Sequence, residues 1–257
     1  VQQQFLKEDI HQLRVSLKKI RSVFLLVEFL KPKKFSTKKN YTKVRPIFKS
    51  AGKIREIQIN NQVLEKYPVK KATLKAYRGY NKKTNFKNKL ELAKLLTKKK
   101  KSSLARVNFQ VFSILHSSKD EKIKKKVKRF VNRKLIDVSS IFYRSFSEND
   151  LHEIRILVKQ AYAIALISKN LKYKIISVDQ LKLFKGIEEN IGNWHDILVL
   201  QESLQDWRKN IKKKKRGRRQ EISQIIRIIK KEKKEYRKKL KHQIPGLLDN
   251  FGIHKSN

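Results

Sequence analysis

Apolar residues return every three or four positions along most of this chain, the spacing of amphipathic helices. Over residues 9–31, Leu13, Leu17, Ile20, Phe24 and Val27 form one stripe, and Pro32 closes it. The Lys-rich stretch 33–43 reads as a polar loop. A second helix is predicted from Ile47 to Lys66, with Ile47, Ala51, Ile54, Ile57 and Leu64 inward and Pro68 beyond. Residues 69–85 are ambiguous, because Gly79 and Asn81 read as a turn. Helical spacing resumes over 86–100 through Phe86, Leu90, Ala93 and Leu96, and a short helix follows at 103–116.

Helix starts are also legible. Ser118 with Glu121, Ser147 with Asp150 and Ser177 with Gln180 have the spacing of capping boxes. They introduce a long pattern through Ile123, Val127, Phe130, Leu135 and Val138, then helices near 149–169 and 178–208. A last helix is predicted over 218–241, where Pro245 and Gly246 are expected to break the chain. The fold class expected is all-α.

Two blocks recur. "HQLRVSLKKIR" from His11 and "HEIRILVKQAY" from His152 share His-x-x-Arg-x-x-x-Lys at an offset of 141. "AGKIREIQINNQVL" from Ala51 aligns with "IGNWHDILVLQESL" from Ile191 at an offset of 140. There Gly52 meets Gly192, Arg55 meets His195, Glu56 meets Asp196 and Leu64 meets Leu204. The same order and nearly the same offset point to a duplicated helical unit. The expected architecture is two four-helix bundles, 1–145 and 146–257, related by a pseudo-two-fold around a central basic cavity. At 100° per residue, His11, Arg14, Lys18 and Arg21 fall in a stripe about 80° wide beside the apolar one. Like charges so aligned repel unless an anion neutralises them. His152, Arg155 and Lys159 repeat the stripe, and both are read as one shared anion site. The glycines are read as sites of close helix approach, with Arg55 and His195 adding cations nearby.

Composition then narrows the partner. The 257 residues carry 66 Lys+Arg against 22 Asp+Glu, a formal net charge of +44. Yet 82 of them are Ile, Leu, Val or Phe, about a third and well above the roughly 20% below which disorder is expected. A folded core bearing that charge points to a polyanion. Cysteine is absent, which excludes disulfide frameworks, thiolate zinc sites and Cys nucleophiles. No apolar run approaches the roughly 18 residues of a membrane span, and nothing reads as a secretion signal, so a cytoplasmic protein is expected.

The His-Arg-Lys and Gly-centred blocks resemble those of the CHAD domain, a histidine-containing α-helical family of two four-helix repeats. The resemblance covers nearly the whole chain, and it departs at Gln160 and Tyr162, where further basic residues are common, and at Arg55–Glu56, where many members have Arg-Asp. It implies binding of inorganic polyphosphate, without catalysis, by His11, Arg14, Lys18, Arg21, His152, Arg155 and Lys159; Arg55 and His195 join the expected site from the reading of the glycine blocks, and no cofactor is expected. For such binding the sequence leaves three roles open: targeting to polyphosphate granules, sensing of chain abundance and organisation of granules. No Glu-x-Glu-x-Lys signature of the triphosphate-hydrolysing domain fused to some members occurs, so the likeness is to the stand-alone form. Nucleic acid is the alternative partner on charge alone, although no RNP aromatic motif, zinc-finger spacing or helix-turn-helix pattern occurs. An enzyme would need clustered carboxylates or a Gly-rich phosphate loop, and Glu188, Glu189 and Asp196 read as helix-surface acids. A scaffold whose lysine runs dock to an acidic partner is a further reading.

Overall fold

The computed structural model describes residues 5–42, 44–97, 101–116, 120–170, 175–212 and 214–254. Those residues form α1 (Lys7–Leu30), α2 (Thr37–Tyr41), α3 (Arg45–Leu64), α4 (Lys71–Thr97), α5 (Lys101–His116), α6 (Asp120–Arg144), α7 (Glu148–Asn170), α8 (Val178–Asn210) and α9 (Arg216–Asn250). No strand occurs among them, so the chain is all-α.

Two of the three predicted capping boxes close as expected. The Ser177 N–H donates to Gln180 Oε1 at 3.0 Å, and the Gln180 N–H returns to Ser177 Oγ at 3.1 Å. At α7, Asp150 accepts from the Ser147 N–H at 2.8 Å and from the Ser145 and Ser147 hydroxyls. These donors hold the Asp150 carboxyl well below the usual carboxylate range. Ser118 lies outside the described residues.

Four readings of the sequence give way. The stretch 33–43 is no mere polar loop: Phe35 and Tyr41 are buried against Phe24, and Ser36 caps the short helix α2. Helix α4 runs unbroken through Gly79 and Asn81, because Tyr77 anchors it, buried against Trp207 with its hydroxyl 2.6 Å from Ser203 Oγ. Its inward face is Thr73, Tyr77, Asn88 and Leu92, whereas Phe86 and Leu96 are exposed. Helix α9 continues through Pro245 to Asn250. Proline there removes one helical hydrogen bond, but Ile244, Leu247 and Leu248 are fully buried around it. The helix ends instead at Gly252, whose φ of 66° permits a Schellman cap. In that cap the Ile253 N–H reaches the Leu248 carbonyl and the Gly252 N–H the Asp249 carbonyl.

The chain divides into two compact units. One comprises Val1–Val15, Arg45–Lys99 and Asn193–Lys238; the other comprises Ser16–Val44, Lys100–Gly192 and Lys239–Asn257. Neither follows the division at residue 145; each draws on both halves of the chain. In the first unit, Leu64 and Tyr77 meet Leu200, Leu204, Trp207 and Ile225 in one core. Leu64 and Leu204, which the two sequence blocks align, thus share that core. The second unit packs the later part of α1 with α2, α5, α6 and α7, the first half of α8 and the end of α9. Its aromatic contacts include Phe29 with Phe130 and Phe184 with both Tyr162 and Phe251.

Candidate functional site

The first stripe sits on α1. His11 and Arg14 belong to the first unit, and Lys18 and Arg21 to the second. His11 and Arg14 are half-buried, whereas Lys18 and Arg21 are exposed. This matches a boundary position for the first pair only.

Arg14 has a built seat. Its Nη1 donates to the Phe48 carbonyl at 3.0 Å, and its guanidinium lies over the Phe48 ring at 4.5 Å from the centroid. A Cβ at Gly52 would stand 2.6 Å from Nη1, closer than real contacts allow. Gly52 is therefore a place for an arginine, not for a neighbouring helix. Gly192, aligned with it in the second sequence block, has nothing within 4 Å of where a Cβ would be, so close helix approach explains neither glycine. One turn along α3, the Glu56 carboxyl is held above its ordinary range by loss of solvation and by Glu202, while Arg14 pulls it back. Half-buried Arg55 turns along its own helix and donates to Gln58 Oε1 at 3.4 Å. His195 on α8 is half-buried beside the buried Trp194.

The second unit holds the other five expected cations. Arg21 lies 5.9 Å from the centroid of the Tyr41 ring. On α7, His152 is exposed, and Arg155 and Lys159 are half-buried. The Lys159 ammonium is already paired with Glu188 at 2.9 Å, with about a quarter of each side chain exposed. The two stripes are alike in sequence but unequal in chemistry, since one carries a seated arginine and the other a neutralised lysine. Phe48, Tyr41 and Glu188 went unread as partners, because no spacing rule links residues on different helices.

Among the described residues, no helix is long and apolar enough to cross a membrane, and no three His, Asp or Glu side chains gather as metal ligands. The CHAD domain family model matches residues 2–213. This chain belongs to the CHAD domain family. No curated protein sequence matches it. The crystal structure of the CHAD domain from the plant Ricinus communis is similar in fold, with a TM-score of 0.67 and 12% identity. That likeness spans 97% of this chain and 83% of the other. All nine expected site residues fall inside the stretch matched to the CHAD model, whereas α9 lies beyond it.

Proposed function

We propose that this CHAD domain binds inorganic polyphosphate without transforming it. The CHAD family is associated with polyphosphate binding in general. The observation that carries the reading for this chain is the seat of Arg14: a guanidinium held by a carbonyl and a ring, in space left by a glycine. A preorganised fork engages phosphate oxygens with little further ordering cost. His11, Lys18 and Arg21 extend the same helix stripe, His152, Arg155 and Lys159 form the second, and Arg55 and His195 add charge in the unit that holds Arg14. The remaining lysines supply a long-range field, and affinity comes largely from counterion release. The reading needs no cofactor and places the protein in the cytoplasm, at polyphosphate granules.

The test is a competition titration of long-chain polyphosphate against DNA of equal charge, over several salt concentrations. Polyphosphate should win at about 0.15 M salt, and both affinities should fall steeply as salt rises. Equal or tighter binding of DNA overturns the reading in favour of a nucleic-acid partner. Incubated with the protein and Mg²⁺, polyphosphate should keep its length, and shortening would make the protein an enzyme.

A further inference from the structure

Arginine is the scarce cation here, with 16 against 50 Lys. Four of the 16, namely Arg208, Arg216, Arg219 and Arg227, line a single cavity of about 800 Å³ within the first unit. Arg208 comes from the last turn of α8, and the others lie along one face of α9. Arg216 and Arg219 occupy the first turn of α9, which has no acidic residue. The positive end of the helix dipole and the repulsion between like charges both work against that placement.

Nothing in the surroundings relieves it. No carboxylate lines the cavity among the described residues, and Arg216, Arg219 and Arg227 take part in no ion pair there. The nearby acids face elsewhere. Glu221 accepts from the Lys70 N–H at 2.6 Å and the Thr73 hydroxyl at 2.8 Å. Asp206 accepts from the Tyr80 hydroxyl at 3.0 Å. Ser223 does face the cavity, and it holds Arg208: its Oγ accepts from Arg208 Nη1 at 2.8 Å and donates to the backbone carbonyl of Arg219 at 2.8 Å. Gln220 and Gln224 add neutral amide donors.

We propose that this cavity is a second anion site, separate from the stripes and built for a short condensed phosphate. Guanidinium forks match phosphate oxygens two at a time, and four of them suit a ligand with several charges on neighbouring phosphates. The volume falls in the range of small-ligand sites. Arg216, Arg219 and Arg227 lie beyond the residues matched to the CHAD family model.

The probe is inorganic tripolyphosphate, titrated calorimetrically into the full chain at about 0.15 M salt. The variant R216Q/R219Q/R227Q should lose at least about tenfold in affinity, whereas K230Q/K231Q/K234Q, which removes the same charge from exposed positions of the same helix, should lose no more than about threefold. The charge-conserving R216K/R219K/R227K should lose most of what the glutamine variant loses, because ammonium groups make no fork. Without ligand, the glutamine variant should melt no lower than the parent, since it relieves repulsion. Equal losses in the arginine and lysine triples, full affinity in the Arg→Lys triple, or a lowered melting temperature each overturns the proposal. So does single-stranded DNA of equal charge that binds as tightly and depends on the same arginines. Long-chain polyphosphate that displaces tripolyphosphate identifies a chain end as the occupant, and failure to displace identifies a free oligophosphate; either supports the site. The stripe reading is tested on other residues, so either can fail alone.

Discussion

Replacing Gly52 by alanine isolates the seat of Arg14. Inside a helix, glycine to alanine normally stabilises by about 1 kcal/mol. Gly79 in α4 supplies that reference, since it is exposed and has no atom within 4 Å of an added Cβ. At Gly52 the new Cβ would lie 2.6 Å from Arg14 Nη1, against an ordinary contact of 3.4 Å or more. The backbone need not move, because the obstructing atom is the end of a long side chain, so the guanidinium withdraws instead. Withdrawal breaks the 3.0 Å bond to the Phe48 carbonyl and spoils the stacking on its ring. The half-buried hydrogen bond contributes about 1 kcal/mol and the stacking about 0.5–1 kcal/mol. The alanine gain offsets these, so G52A should range from neutral to about 1 kcal/mol destabilising. G79A should stabilise by about 0.5–1 kcal/mol, leaving the two glycine substitutions about 1–2 kcal/mol apart. Urea denaturation monitored by circular dichroism measures both. In an Arg14→Ala background nothing obstructs the Cβ, and G52A should turn stabilising. If G52A stabilises the parent as much as G79A does, Arg14 is not seated against Gly52, and the preorganised cation on which the functional reading leans is lost.

Two further outcomes are expected. Glu188→Gln frees the Lys159 ammonium from its 2.9 Å partner, so polyphosphate affinity should rise severalfold in a binding titration; an unchanged affinity would remove Lys159 from the site. The Asp150 carboxyl is held well below the usual value of 3.8 by the Ser145 and Ser147 donors. Its contribution to stability is therefore full above that value and lost as pH falls through the lowered one. Asp150→Asn should flatten the acid limb of a melting-temperature–pH profile, and an unaltered limb would contradict the assignment.

Much of the fold is written locally. Spacing and capping residues placed α1, α3 and α5 to α8 within a few positions, because a stripe of Ile, Leu and Phe and a Ser three residues before an acceptor act over single turns. The misreadings occur where a distant contact outweighs a local penalty. Gly79 sits in a helix that Tyr77 pins to Trp207, and Pro245 sits where Ile244, Leu247 and Leu248 are buried. Helix α4 turns the polar residues Thr73 and Asn88 inward, where the Thr73 hydroxyl donates to Glu221 on α9 and the Asn88 carbonyl accepts from Ser50 Oγ on α3.

The site divides the same way, and the division changes what the +44 charge means. Sequence supplies the count of cations and, through the repeat, their periodicity. It does not say which cation is already neutralised, because that depends on partners from other helices. Arg14 finds its carbonyl 34 positions on, at Phe48, while Lys159 finds a carboxylate at Glu188. Arg216 and Arg219 stand in the basic run 212–219 and Arg227 two turns beyond it, while Glu221 turns away from them and Ser223 braces Arg208 beside them. An anion gains most where cations are fixed and unmatched, since there it releases repulsion without ordering the chain. By that criterion, charge density is a poor guide to affinity in this protein. The exposed lysines of α9 outnumber these arginines and should still contribute less per charge, because long ammonium side chains must give up rotamer freedom to meet a phosphate.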